Sequence, residues 1–462
     1  MKAYSHIDGG DQEMKLNIKS AAKPMAAGLA AMMVLTACSG GNNGNNGGNG
    51  AATSQPSKPA AEETAKPTEK PADPVTIEFW HAFGEGEEKV LLDEVMPKFN
   101  EKFPHITVKS TRMPTENLDQ QVITAAAGGA VPDVMRMDNT WIPRMAKEGV
   151  LQKVDGFPGF DQVVADSFKG PMSTNYYDGS YYGVPLDTNT KIAIYNKELL
   201  AEAGASAPPA TIDELVELAR NLKAKGKFGI TIGGPDAWNM PPWFWSLGGR
   251  ITDDNYTTAT GHLNSDASVK ALETIIGWND EGLLAPPILG GQPGTWEGLR
   301  GEEGKPASYM MINEGPWFFS ILGDAVKDNM IPAKMPNGPD GASHSVIGGQ
   351  NMVIFEGAKQ PDAAWTFTQF MLTEEIQTLM AVKTGAIPTN VAAANAEELK
   401  NVYYLGAYVA EMDTALARTP SANWNQISDV FGKAFETALR KESSAKDALD
   451  KAAAEIDALL KK

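Results

Sequence analysis

An alternation of two periodicities, starting at Val75, constrains this chain more than any other feature. Val75-Thr76-Ile77-Glu78-Phe79 alternates apolar and polar residues with period two, the pattern of a half-buried strand, and Trp80-His81-Ala82-Phe83-Gly84 closes it as a turn. From Glu85 the apolar residues Leu91, Val95, Phe99 and Phe103 recur every four, the stripe of an amphipathic helix that Pro104 stops. His105 to Lys109 predicts a second strand, Thr115 to Ala127 a helix, and Val131 to Met137 a third strand. A further helix runs from about Thr140 to Glu148 and stops at Gly149. Strand and helix in regular succession predict an α/β sheet covered by helices.

The second half repeats this grammar with a different sequence. Lys191 to Tyr195 predicts a strand, and Lys197 to Ala203 a helix ended by Gly204. Thr211-Ile212-Asp213-Glu214 is a capping box: the Thr hydroxyl accepts from one orphan N–H while the Glu carboxylate reaches back to another. Phe228 to Ile232, Ser308 to Ile312 and Asn351 to Phe355 read as strands, Pro361 to Leu372 as a helix, and the chain after about Asn395 as wholly helical. A body from Val75 to Lys462 is long enough for two domains.

Ahead of this body the composition changes twice. Lys15, Lys19 and Lys23 precede an apolar run from Met25 to Leu35, which is too short for a stable bilayer-spanning helix and suits a secretory signal. The run ends in Leu35-Thr36-Ala37-Cys38, which resembles a bacterial lipobox, so residues 1–38 are expected to be a signal ending at a lipid-bearing Cys38. Met1 to Glu13 is polar and acidic, which suits no signal peptide and makes Met14 a candidate start. Residues 39–74 are rich in Gly and Asn, then in Ala, Pro, Lys, Glu and Thr; this composition buries too little to offset ordering entropy and predicts a disordered tether.

Charge and thiol content remove several function classes. With 58 acidic against 40 basic side chains, the chain is poorly suited to nucleic acid, whose binding needs Lys and Arg on phosphates. Cys38 is the one cysteine, so no disulfide within the chain and no cluster of thiolate ligands is available. The five His residues include no pair spaced for a helical metal site, and no Gly-x-Ser-x-Gly elbow occurs. The expectation from these residues is no cofactor and no metal.

The stretch from Pro185-Leu186-Asp187-Thr188-Asn189-Thr190-Lys191 to Leu200 resembles the hinge-proximal motif of the extracellular solute-binding proteins of bacterial sugar ABC importers, the maltose-binding-like family. Three further stretches match the same family: Pro132-Asp133-Val134 leading to Gly149-Val150-Leu151, Met311 to Trp317 with its Gly-x-Trp, and Gly348-Gly349-Gln350-Asn351 followed by Pro361 to Trp365. The resemblance implies an α/β, two-domain periplasmic-binding-protein fold of type II, with the ligand cleft between domains. It places residues 75–187 plus 346–385 in one domain and 190–343 plus 388–462 in the other. Crossings are expected near Pro185 to Lys191, Ser343 to Ile347 and Val382 to Thr389. The implied partners are a carbohydrate, ABC importer permease subunits and, through Cys38, the outer face of a membrane, with the protein acting as a monomer.

A pyranose offers an apolar C–H face, which aromatic rings cover, and an edge of hydroxyls, which carboxylates and amides bind. The candidate ligand residues are accordingly Trp80 and His81 after the first strand, Asp138 and Trp141 after the third, and Asp187 and Asn189 in the hinge motif. From the second domain come Trp243 and Trp245 of the Trp238 to Trp245 cluster, Trp317 of Gly-x-Trp, and the late Trp424. Trp278 and Trp365 lie on regular helical faces and are expected in the core; Glu85, Glu87 and Glu88 read as the acidic first turn of a helix, with one of them free to touch ligand. Two alternatives stay open. One is the same fold holding a glycerol phosphodiester, iron or a peptide; the other is a surface glycoside hydrolase, which needs two opposed carboxylates but matches no motif here.

Overall fold

A computed structural model describes residues 73–461, so Cys38 and almost all of the 39–74 tether lie outside the described residues. Strands run in chain order as β1 (Val75–His81), β2 (Ile106–Arg112), β3 (Val134–Asp138), β4 (Tyr176–Tyr177), β5 (Ser180–Tyr181) and β6 (Val184–Asn189). They continue as β7 (Ile192–Asn196), β8 (Met311–Glu314), β9 (Met330–Ala333), β10 (Val346–Ile354), β11 (Ile387–Pro388) and β12 (Leu416–Ala417).

Two main sheets result. The larger has the order β11-β6-β10-β3-β1-β2, with β12 paired to the start of β10; the smaller is β8-β7-β9. In the first, β1 is parallel to β2 and β3, whereas β10 runs antiparallel to both β3 and β6. β3 and β6 therefore point the same way, and their carboxyl ends share one edge. Gln350 of β10 sits opposite Asp138 on one side and Asp187 on the other, so these side chains form a row across the sheet end.

Each sheet has its own core. Ile77, Phe79, Val134 and Met352 of the large sheet pack under Phe99, Phe367 and Phe370 of the covering helices. The second core gathers Tyr195, Leu215, Trp243, Phe244, Phe431 and Phe435. Burial alternates along β1, with Ile77, Phe79 and His81 inside. The predicted capping box forms, Thr211 Oγ1 accepting from Glu214 N–H while Glu214 Oε2 accepts from Thr211 N–H. Gly204 ends the helix Lys197–Ala203 with φ at +101°, a conformation that favours glycine.

Three expectations need correction. Phe228 to Ile232 makes only isolated bridges, to Tyr309 and Leu284, rather than a strand. The long helix from Glu85 holds, but a π-turn over Leu91–Val95 interrupts it. The chain after Asn395 is not wholly helical: β12 interrupts it and delivers Arg418 between the two lobes. Trp278 and Trp365 are buried, at 6 % and 3 % exposure, as their helical faces require.

Candidate functional site

A cleft of about 630 Å³ opens where the large sheet's strand ends meet the second lobe. Ligand crevices in open α/β sheets lie beyond the carboxyl ends of strands, and β3 and β6 supply Asp138, Asp187 and Asn189 from such ends. The first turn of the helix Glu85–Val90 adds Glu85 and Glu87; Glu87 Oε2 also accepts the Gly84 N–H at 2.7 Å. Across from them stand Trp238, Trp317, Ser320 and Ile321.

The charged centre of the first wall is a fork. Arg136 donates from Nε to Asp187 Oδ2 at 2.8 Å and from Nη2 to Asp187 Oδ1 at 3.0 Å, and its guanidinium lies 4.3 Å from the Phe83 ring centre. Burial works against the guanidinium's charge, but Asp187 and Glu87 outweigh it and hold the group more basic than usual. Burial likewise pushes the Asp187 carboxyl above its ordinary value, with Arg136 opposing. Asp138 is partly spent on its own turn, Oδ1 accepting from Thr140 N–H at 2.9 Å and from Thr140 Oγ1 at 2.6 Å.

The second wall is aromatic. The Trp238 and Trp317 rings lie 6.2 Å apart and tilted by 31°. Gly315 explains the Gly-x-Trp pattern, because a Cβ at that position would overlap the Trp317 ring. Gly348 of β10 is under the same constraint between Asn189 Oδ1 and the Trp238 ring. Behind Trp238, the buried Lys191 donates to Asn239 Oδ1 at 2.5 Å and lies 4.0 Å from Glu314 Oε1. Burial holds its ammonium below the usual lysine value, with Glu314 and Asp236 opposing.

A second cavity of about 460 Å³ lies between Trp141 on the first lobe and Trp424 on the second. Arg418 stands between the two spaces. Its Nη2 donates to Asn139 Oδ1 at 2.9 Å, and its guanidinium lies 5.1 Å from the Trp238 ring centre and 6.0 Å from that of Trp424.

The structure thus brings Asp138, Asp187, Asn189 and Trp317 to one cleft, whereas Trp141 and Trp424 line a second cavity, Trp424 only at its edge because it is packed into the second core at 6 % exposure. It does not bring the others there. His81 has no exposed surface: it faces inward with Ile77 and Phe79, its Nε2 lies 2.9 Å from Ser110 Oγ, and its Nδ1 accepts the Phe83 N–H at 3.3 Å. Burial, with repulsion from Arg136 and Arg112, lowers its pKa to about 4. Trp243 and Trp245 are core residues at 0 % and 4 % exposure, because Pro241–Ser246 is a helix that packs inward, with Trp243 edge-on to Trp278. Trp80, like Trp141, packs half-buried against the cluster of Met135, Ile142 and Val353 and is not among the cleft-lining residues. Sequence reasoning missed the roles of Arg136 and Arg418, and within the Trp238 to Trp245 cluster it favoured Trp243 and Trp245 over Trp238, the one that lines the cleft. A lone Arg inside the apolar strand Val134–Asp138 was a usable signal, since a buried charge demands a partner; Arg418 carried none.

Among the described residues no group of His, Cys, Asp and Glu could hold a metal ion, and no helix is long and apolar enough to cross a membrane. Comparison with known proteins agrees with this geometry. The maltooligosaccharide ABC transporter solute-binding lipoprotein of Streptococcus pneumoniae is 26 % identical over 328 residues, covering 69 % of this chain and 74 % of that one. The cyclic α-maltosyl-1,6-maltose binding protein of Arthrobacter globiformis superposes with a TM-score of 0.74 at 25 % identity, over 84 % of this chain and 99 % of that one. The GacH receptor of Streptomyces glaucescens, known unliganded and with acarbose, gives 0.71 at 25 % identity over 84 % and 98 %. The fold is the two-lobed type II arrangement of periplasmic binding proteins. A family model of bacterial extracellular solute-binding proteins matches residues 94–403, well over half of the 462 residues, and the chain belongs to that family.

Proposed function

We propose that this protein captures an extracellular carbohydrate, an oligosaccharide or glycoside, by closing its lobes, and delivers it to an ABC importer. One observation carries the reading: a paired tryptophan wall, Trp238 and Trp317, faces a wall of carboxylates and a carboxylate-bound Arg across one cleft. Rings cover a sugar's C–H face while Asp138, Asp187 and Asn189 take its hydroxyls. The named relatives that bind oligosaccharides support it.

In this reading Cys38 carries the lipid that holds the protein at the outer face of a membrane, the protein is a monomer, and it performs no catalysis. The lobes correspond to residues 75–187 plus 346–385 and 190–343 plus 388–462, with the hinge at the crossings between them. Permease subunits of the importer are the partners that receive the ligand.

A thermal-shift screen of residues 39–462 over mono- and oligosaccharides tests this. A ligand that binds only the native state at a hundred times its Kd adds about 2.7 kcal/mol of stability. Binding should also lower the radius of gyration, because a ligand touching both walls favours the closed form. No stabilisation by any sugar, or stabilisation without compaction, rejects the reading. Membrane retention of a Cys38→Ser variant would reject the anchor alone.

A further inference from the structure

Among the described residues, Arg418 is the one cation lining the cleft with no carboxylate in ion-pair contact. Arg136 is forked onto Asp187, Lys383 reaches Glu94 at 3.1 Å, and Lys191 lies 4.0 Å from Glu314. Arg418 instead meets the neutral Asn139 amide, and among the described residues no carboxylate lies within ion-pair distance of it. Its Nε is buried and has no hydrogen-bond partner. Desolvation disfavours its charge, and the field of Asp138 offsets this only in part. A buried, unpaired guanidinium N–H is costly, and it persists where something else satisfies it. Its guanidinium lies 5.1 Å from the ring centre of Trp238, which lines the same cleft and offers a face against which a sugar would stack.

Resting on the carbohydrate reading, we propose that the ligand is an acidic saccharide, a uronate, and that Arg418 is the residue that selects it by taking the carboxylate. A guanidinium offers parallel N–H donors that match a carboxylate's two oxygens. A single negative charge suits the site better than a dianionic phosphate. The cleft already presents Glu85, Glu87, Asp138 and Asp187 against Arg136, Lys383 and Arg418, four carboxylates to three cations. Each ligand charge adds to that surplus, so a monoanion held by Arg418 is opposed less than a dianion.

The test is calorimetric titration of the full chain with oligosaccharides that carry one uronate each (glucuronoxylo-oligosaccharides with a single glucuronate branch) and with their carboxyl-reduced neutral counterparts. The wild type should prefer the acidic member of a pair by roughly tenfold or more, with the preference shrinking in high salt. Arg418→Met should erase the preference while neutral binding persists. Arg418→Lys, which keeps the charge and loses the fork, should retain a reduced preference. A wild type that binds neutral sugars as well as their acidic partners overturns the proposal and leaves the carbohydrate reading standing. Equal weakening of both ligands by Arg418→Met also overturns it and assigns Arg418 to lobe closure through Asn139. Binding of neither class rejects the carbohydrate reading itself, and this proposal with it. Tighter binding of sugar phosphates than of uronates would replace the carboxylate with a phosphate.

Discussion

The two walls of the cleft are built by opposite means. The first is a sheet edge, where Arg136, Asp138 and Asp187 project from strands fixed by pairing to β10 on either side. The second is an aromatic surface carried by Trp238 in a loop and by Trp317 at the start of a short helix. Strand ends place charges rigidly, and directional hydrogen bonds need such placement. Ring faces gain from area and tolerate rotation, so they can sit on less regular backbone. Under the proposed function the contrast becomes a division of labour: the aromatic wall would supply affinity for any sugar face, and the charged wall with Arg418 would decide which sugar.

The sharpest way to break this comparison is to unbalance the charged wall. Arg136→Met leaves the Asp187 carboxylate buried without its fork, and breaking a buried pair from one side costs about 3–5 kcal/mol. Urea denaturation should show that loss. The double variant Arg136→Met with Asp187→Leu should recover most of it, since an apolar pair is nearly neutral in exchange for an ion pair. A single variant that loses less than about 1 kcal/mol would show that the first wall is held by solvent rather than by the pair, as for exposed ion pairs.

A second prediction concerns pH and the floor of the same wall. His81 titrates at about 4 when folded and near the ordinary 6.5 when unfolded. A depressed histidine keeps its full contribution above pH 6.5 and loses it as pH falls towards 4, because the unfolded chain takes up the proton first. Over that window the wild type should lose about 2–3 kcal/mol from this group. Melting curves of the wild type and of His81→Gln should converge as the pH drops from 6.5 to 4. A constant gap between them would mean that His81 is not held neutral by burial.

His81 also shows what was legible in the sequence. The period-two rule that identified β1 puts His81 on the face of Ile77 and Phe79, and so inside; reading it as a turn residue gave up that information. The strand–helix order, the capping box and the Gly-x-Trp segment were readable because each depends on neighbours within a few residues. Trp243 and Trp245 were misplaced because a Trp-rich stretch reads alike as ligand loop or core helix until Phe431 and Phe435, nearly two hundred residues away, pack against its middle residue, Phe244. Arg418 was invisible for the same reason. Its meaning lies in Asn139 and Trp238, which only the fold brings to it.

The smallest expected effect tests the aromatic wall. Trp317 is half-buried, lines the cleft and overlies Gly315, while Trp243 is fully enclosed. Truncating an interface aromatic costs on the order of 2 kcal/mol in binding, so Trp317→Ala should weaken the sugar identified by the screen by more than about tenfold. Its melting point should move little, because the ring is not part of either core. Trp243→Ala should do the reverse, losing about 3–5 kcal/mol of stability with affinity at low temperature nearly kept. Calorimetry beside melting curves separates the two. If Trp317→Ala melts early yet binds normally, the ring props the helix Trp317–Leu322 rather than the sugar, and the aromatic wall reduces to Trp238.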